Sequence, residues 1–265
     1  MHAKDFNYDD FNLSDMGYIL CDFGNGGSLE TIANGSQISF NTTPVQFGSR
    51  HELLSTEYTE CLTSTFQICK NPCIYQDMEI SPRELRHLMR WLNRKGYCKF
   101  KILEQDYMVL SFEASFNISR IELNGTLYGL ELNMFTNRPY ALQDPQKITI
   151  INDTPNETKT VALFSDEEGY ICPSTRIEIK GDGDLTIHNV LDDRVTSIAN
   201  CVSGEIITMN YPIIETSVES HKIQNDFNWN FLRFANTLQT AKNQLVISLP
   251  CRITLEYTPA VKIGV

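Results

Sequence analysis

The sequence predicts an all-β protein of two domains that carries one clear α-helix. Apolar and polar residues alternate with a period of two in many short runs, the mark of half-buried strands. The runs recur about every ten residues, which suits antiparallel pairing through tight turns and leaves little room for crossover helices. Helical periodicity stands out once. At 265 residues the chain is also longer than the roughly 100–200 typical of one domain.

In the first half, residues 37–40, 66–69, 98–103, 108–112, 116–121 and 127–135 read as strands. Asn124-Gly125 separates the last two and marks a primed hairpin turn, because both residues tolerate positive φ. The helix is expected from Ser81 to Lys95. Ser81 is a good N-cap, Pro82 fits the first turn, and Glu84 completes a capping box. Leu85, Leu88, Met89 and Leu92 share one apolar face, and Gly96 is expected as a left-handed C-cap. The alternation lapses at Arg138-Pro139-Tyr140-Ala141-Leu142-Gln143-Asp144-Pro145, which places a boundary between domains 1–143 and 144–265. Beyond it, strands are expected at 147–151, 159–164, 176–179, 185–189, 194–198, 205–209 and 245–257, the last broken at Pro250. Gly181-Asp182-Gly183-Asp184 and Ser203-Gly204 read as tight turns, and the whole as a β-sandwich or jelly roll.

Composition narrows the function. No window approaches the ~18 consecutive apolar residues of a membrane span, and the opening Met1-His2-Ala3-Lys4-Asp5 lacks the apolar stretch of a secretory leader. The eight cysteines are scattered and are expected as free, mostly buried thiols. Cys69 and Cys73, the closest pair, have no second pair nearby to complete a zinc site. The net charge of −11 is spread over both halves, a poor match to the clustered cations that hold a phosphate backbone.

Catalytic constellations are hard to find. His51-Glu52-Leu53-Leu54-Ser55 approaches a metalloprotease motif but has Ser55 where the second histidine must stand. There is no nucleophile elbow and no phosphate-cradling Gly-rich loop. His2, His51, His87, His188 and His221 show no spacing that implies a relay. The paired acids Asp192-Asp193 and Glu167-Glu168 are adjacent, so on a strand they face opposite ways. Asp182 and Asp184 have oxygens suited to calcium, but a hairpin turn accounts for them without a full ligand set. The expectation is a non-enzymatic protein with no catalytic residue, cofactor or metal.

Two features point to surfaces instead. Arg83, Arg86, Arg90 and Arg94, with His87, follow the helical period on the flank opposite the leucines. On an acidic chain such a stripe is either a solvated face or a contact with carboxylates of a neighbouring subunit. The aromatic residues Tyr211, Trp229, Phe231, Phe234 and Tyr257 are candidates for stacking on a sugar, with Tyr211 and Trp229 the expected contacts if the chain binds host cell-wall carbohydrate. In 228–234 the aromatic positions alternate, and one strand face of aromatics belongs to a sandwich core more readily than to a glycan platform.

Several segments together resemble the distal tail proteins of long-tailed bacteriophages. These are Phe11-Asn12-Leu13-Ser14-Asp15-Met16-Gly17-Tyr18-Ile19-Leu20, the strand Phe66-Gln67-Ile68-Cys69-Lys70 and the helix with Leu88-Met89-Arg90-Trp91-Leu92. Tyr128-Gly129-Leu130-Glu131-Leu132 and Thr136-Asn137-Arg138-Pro139-Tyr140 close the first half. In the second half residues 177–189, Gly204-Glu205-Ile206-Ile207-Thr208, Asp226-Phe227-Asn228-Trp229 and the strand ending at Tyr257 continue the likeness. The resemblance implies an N-terminal β-rich belt domain that assembles as a homohexameric ring, single or double. It implies a C-terminal galectin-like β-sandwich outside that ring, in a short form without inserted carbohydrate-binding modules. The implied partners are further copies of the chain, the major tail tube protein and a tail-associated hub or lysin protein, with a receptor-binding protein as a further candidate. DNA would pass as cargo only, no membrane is involved, and the implied place is the virion tail tip after synthesis in the host cytoplasm.

Overall fold

The computed structural model describes residues 5–23, 31–34, 36–45, 50–103, 110–236 and 242–263. It divides into two compact units, one comprising Met1–Asp144 with Val261–Val265 and the other Pro145–Ala260. No helix of the described residues is long and apolar enough to cross a membrane.

In the first unit, β1 (Asp5–Tyr8), β2 (Phe11–Asn12), β3 (Tyr18–Cys21), β4 (Thr31–Asn34), β5 (Ile38–Pro44), β6 (His51–Tyr58) and β7 (Thr63–Lys70) precede the helix α1 (Pro82–Leu92). After it come β8 (Cys98–Leu103), β9 (Leu110–Leu123), β10 (Thr126–Thr136) and β11 (Ala141–Leu142). The main sheet runs β2-β1-β8-β9-β10-β7-β3, with β4 on β7 and β11 on β9. The two strands expected at 108–112 and 116–121 are one strand, β9; Met108 itself lies outside the described residues. Buried Phe112, Ala114 and Phe116 carry the alternation straight through, and Ala114 is too small to register as apolar in the sequence pattern. Asn124 and Gly125 join β9 to β10 with φ of 53° and 80°, the primed turn expected of them.

The core of this unit is aromatic. Phe6, Tyr8, Phe66, Phe100, Phe112 and Phe116 project from the strands, and Leu88, Trp91 and Leu92 of α1 close over them. Trp91 stacks on Phe6 with ring centroids 6.1 Å apart and planes 19° from parallel. Its indole N–H donates to the Tyr8 carbonyl at 2.8 Å, so the buried polar atom of the tryptophan is satisfied. The expected capping box is present: Ser81 N–H donates to the Glu84 carboxylate at 2.8 Å, and the Ser81 hydroxyl accepts from the Glu84 N–H at 3.3 Å. Glu84 also pairs with the buried Lys70 ammonium at 2.9 Å. Burial pushes the Glu84 carboxyl up, but its hydrogen bonds from Ser81 and Lys70 outweigh that and hold it below the usual range.

The helix stops at Leu92 with Asn93 as its cap, three residues short of Lys95, and Gly96 plays no capping part. Arg94 supplies the reason. Its Nε donates to the Trp91 carbonyl at 3.0 Å while its guanidinium meets Asp9 at 2.6 Å. A side chain therefore satisfies a last-turn carbonyl, and no left-handed glycine is required.

In the second unit the strands are β12 (Gln146–Asn152), β13 (Glu157–Val161), β14 (Tyr170–Ile171), β15 (Ser174–Ile179), β16 (Gly183–Asn189), β17 (Arg194–Cys201), β18 (Ile206–Asn210) and β19 (Ile213–Thr216). A short helix α2 (Ile223–Asp226) follows, then β20 (Phe234–Ala235), β21 (Asn243–Ile247) and β22 (Cys251–Tyr257), and β23 (Ala260–Val261) leads back towards the first unit. One sheet has the order β12-β22-β15-β18-β19 and the other β13-β21-β16-β17. Alternate residues of both, such as Ile177, Ile207, Ile253 and Leu255 against Leu185, Ile187, Leu245 and Ile247, fill one shared core, which makes the unit a β-sandwich. The cysteines differ from expectation in burial. All eight are free, but only Cys201 and Cys251 are buried, with thiols pushed up by burial to about 11. Cys61, Cys73 and Cys172 are exposed because they fall in connections between strands.

The aromatic core gives a direct test. Trp91→Ala is expected to destabilise the first unit by about 3–5 kcal/mol. Trp91→Phe keeps most of the packing but removes the indole donor to the Tyr8 carbonyl, and is expected to cost about 0.5–1.5 kcal/mol. Urea unfolding followed by near-ultraviolet circular dichroism separates the two, and a Trp91→Phe variant as stable as the parent would deny the hydrogen bond a role.

Candidate functional site

Three surfaces stand out, two on the first unit and one on the second. On α1, Arg83, Arg86, His87 and Arg90 are exposed on the face away from Leu88, Trp91 and Leu92. Among the described residues, Arg83, Arg86 and Arg90 have no ion pair within the chain. Arg94 differs, being held by Asp9 and the Trp91 carbonyl. The stripe of four arginines read from the sequence is thus three unpaired cations and one that fixes the helix end. Beside it lies an open groove of about 380 Å³ lined by Phe11, Met16, His87, Arg90, Trp91 and Arg94, with apolar side chains beneath a cationic rim.

The second surface is a ribbon of β5 and β6, which among the described residues pair with each other and with no other strand. No residue of either strand is buried. Phe40 is 66% exposed, Leu54 62% and Leu53 56%, with Glu52 and Glu57 on the same strand as the leucines. Its base is tied by the Thr59 N–H to Gln37 O bond and by the edge contact of Tyr58 with Tyr140 at 6.1 Å. The strand β6 was missed in the sequence for a physical reason: with both faces open, His51-Glu52-Leu53-Leu54-Ser55-Thr56-Glu57-Tyr58 has no alternation to detect. His51 lies in this open strand, away from any second histidine of its motif.

The third surface joins Tyr211 and Trp229. Residues 228–234 do not form the strand expected of them, and only Phe234–Ala235 is extended in a pair, with β14. Phe231 and Phe234 enter the core, as does Tyr257, while Trp229 stays 53% exposed and Tyr211 75% exposed. The two exposed rings meet at Phe231: Tyr211 packs on it edge-on at 5.4 Å and Trp229 at 6.4 Å. Phe227 lies beneath, 5.0 Å from Phe231 and 5.7 Å from Trp229. Trp229 has φ of 58°, a left-handed conformation that costs a residue with a side chain roughly 1 kcal/mol. Its neighbours hold it there. The side-chain amides of Asn228 and Asn230 both donate to the Val195 carbonyl, at 2.9 and 3.1 Å, and the Asn230 N–H donates to Asn228 Oδ1 at 3.1 Å.

The segment entering this turn is locked by a buried acid. Glu205 accepts the Val202 N–H at 3.0 Å, the Thr216 hydroxyl, and His221 Nδ1 at 2.6 Å. Burial pushes its carboxyl up, but those hydrogen bonds outweigh it and hold it below the usual carboxylate range. The other ring nitrogen of His221 lies 3.3 Å from Asp226 Oδ2, in ion-pair range but out of line for a hydrogen bond. Glu205 and His221 together anchor the start of α2, which feeds Phe227 and then Trp229.

Four of the acids singled out in the sequence, Asp182, Asp184, Asp192 and Asp193, are engaged in holding the fold. Asp182 and Asp184 each accept a backbone N–H, from Ser203 at 2.7 Å and Asn200 at 3.0 Å. Asp192 pairs with Arg233 at 2.8 Å, and Asp193 with His188 at 2.8 Å. The described histidines sit on separate elements, and His2 lies outside the described residues. Among the described residues no cluster of three or more His, Cys, Asp or Glu is placed to hold a metal ion.

Comparison with known proteins agrees with this geometry. One family model, described as a phage tail protein N-terminal domain, matches residues 1–138, and a second, described as a phage tail C-terminal domain, matches residues 140–257. No curated protein matches the sequence. Among solved structures the chain is similar to the Dit protein of SPP1, described as a paradigm of the hub adsorption apparatus in Gram-positive infecting phages. The TM-score is 0.65 with 8% identical residues, over 96% of this chain and 98% of that one. The likeness is one of fold, and it is the fold that the resemblance to distal tail proteins implies.

The Glu205 lock has a pH signature. Because its folded pKa lies below the unfolded value, its stabilisation is complete above about pH 4.5 and is lost as pH falls through the folded value. Glu205→Gln is expected to cost about 2 kcal/mol at pH 7, with the gap to the parent protein closing below about pH 4. Urea midpoints measured across that range check it, and a gap that stays constant would remove the charged form from the argument.

Proposed function

The chain belongs to the family of phage tail proteins, and we propose that it is the structural hub of a tail tip. In this reading it has no catalytic role. It assembles with copies of itself into a ring that joins the tail tube to the tip proteins and leaves a lumen for DNA.

The observation that carries this reading is the β5–β6 ribbon. A two-stranded ribbon without a core is marginally stable at best in water, and exposed apolar side chains on it make solvation worse. Phe40, Leu53 and Leu54 are therefore best explained by a surface that covers them in the assembled state. A second copy of the chain offers one. The groove beside α1 has Phe11 and Met16 for apolar contact and Arg90 at its rim, a match for Glu52 and Glu57 of the ribbon. Ribbon and groove are different surfaces, so the contact is head-to-tail and closes into a ring when its rotation allows. Six as the number of copies comes from the likeness to distal tail proteins. The charge of −11 per chain supports a lumen that DNA passes without adhering, since like charges raise the energy of any bound state.

Light scattering over a concentration series, followed by negative-stain imaging, tests the ring. A hexamer or double hexamer with a central hole is the expected result. Phe40→Ser with Leu54→Ser, and separately Arg86→Glu with Arg90→Glu, are expected to shift the distribution at least tenfold towards monomer with unchanged circular dichroism. Assemblies that survive both pairs intact would sink the ribbon-and-groove contact.

A further inference from the structure

We propose that the second unit carries a saccharide-binding platform made by Tyr211 and Trp229. It goes beyond the hub reading and does not depend on it, because ring assembly is assigned to the first unit.

Two segments distant in sequence build the platform. Tyr211 stands at the tip of the β18–β19 hairpin, between the paired Asn210 and Ile213. Trp229 stands at the apex of the turn that follows α2. Both rest on Phe231, whose ring is buried, with Phe227 buried beneath. Folding has thus used the inner pair of rings for the core and left the outer pair in solvent. Core packing gives no account of Trp229. It holds a left-handed backbone and keeps half its surface in water, when an exposed polar residue or glycine would serve the turn with less strain. The amides of Asn228 and Asn230, both bound to the Val195 carbonyl, fix the ring before any ligand arrives. Strain that its surroundings over-determine is the kind that accompanies a binding role.

The chemistry of the rim selects the occupant. Next to Tyr211, Asn210 accepts a hydrogen bond from the Ser174 hydroxyl, and next to Trp229 stand Asn228 and Asn230. These amides and hydroxyl are neutral groups that both donate and accept, as sugar hydroxyls do. The nearby Arg194 directs its Nε to the Phe231 carbonyl at 3.1 Å, so that donor is already engaged within the turn. An aromatic face offers the apolar C–H face of a pyranose a flat surface, and an amphipathic ring such as Trp or Tyr suits a ligand apolar on one side and polar at its edge. The class of ligand is a neutral oligosaccharide or polysaccharide, bound on the surface without a deep pocket.

The chain's two tryptophans supply the readout, since Trp91 is buried and Trp229 exposed. The full-length protein is screened on an array of neutral hexose and N-acetylhexosamine oligosaccharides, and each hit is titrated by tryptophan fluorescence with acrylamide quenching. At least one probe is expected to bind and to shield the quenchable tryptophan. Trp229→Ala and Tyr211→Ala are each expected to weaken that binding at least tenfold, with circular dichroism and the urea midpoint preserved. Tyr211→Ala lies at a hairpin tip and serves should Trp229→Ala fail to fold. The absence of any binding probe, or binding that both variants leave intact, overturns the proposal. Mass distributions taken on the same samples keep it apart from the ring: loss of assembly in these variants without sugar binding would assign the rings to a subunit contact instead.

Discussion

The indole of Trp91, hydrogen-bonded to the Tyr8 carbonyl and stacked on Phe6, fixes the one long helix of this protein to its sheet. What the first unit presents to its surroundings depends on that attachment. With Trp91, Leu88 and Leu92 turned inward, the helical period turns Arg83, Arg86 and Arg90 outward. The same placement sets the helix against Phe11 and Met16 to form the groove. Arg94 completes the arrangement by binding both the Trp91 carbonyl and Asp9 of the strand connection, so the helix end, the tryptophan and the first hairpin are held as one body.

Against that rigid body the ribbon is incomplete. Strands β7 and β8, the first half of β9 and most of β10 bury residues in the core, whereas β5 and β6 bury none. A monomer built this way carries exposed apolar side chains on the ribbon, and the proposed self-association would cover them. Charge argues the same way. Identical acidic chains repel, so a stable contact between them needs local cations opposite local acids. Three unpaired arginines on α1 and the glutamates of β6 provide both signs on separate surfaces of one chain.

Much of this was legible in the sequence, and the exceptions have physical causes. Alternation located β7, β8, β10 and β22, whereas the short strands β1 and β3, which also bury one face, were passed over because four residues are too few to stand out. The capped start of α1 was equally clear because Ser81, Pro82 and Glu84 act locally. The helix end was not, since a distant pairing of Arg94 with Asp9 replaced the glycine cap. The ribbon strand β6 left no signal because nothing in its own chain buries it. At the aromatic surface, the sequence supplied Tyr211 and Trp229 as candidates but could not bring them together. Their meeting depends on Phe231, and alternation in 228–234 suggested a strand that the left-handed turn at Trp229 and its asparagine clamps rule out.

The chain therefore exposes apolar groups in two physically different ways. On the ribbon, Phe40, Leu53 and Leu54 have no supporting layer, so much of their ordering is completed only when another surface covers them. That suits a permanent contact, where the entropy of ordering is lost once, on assembly, and is offset by a large buried area. At the second surface, Tyr211 and Trp229 already rest on buried rings, and hydrogen bonds to β17 hold the turn. A ligand that lands there meets groups whose freedom was lost when the unit folded, so a small contact is enough for measurable, reversible binding. In the proposed reading, one kind of exposure serves assembly and the other reversible binding.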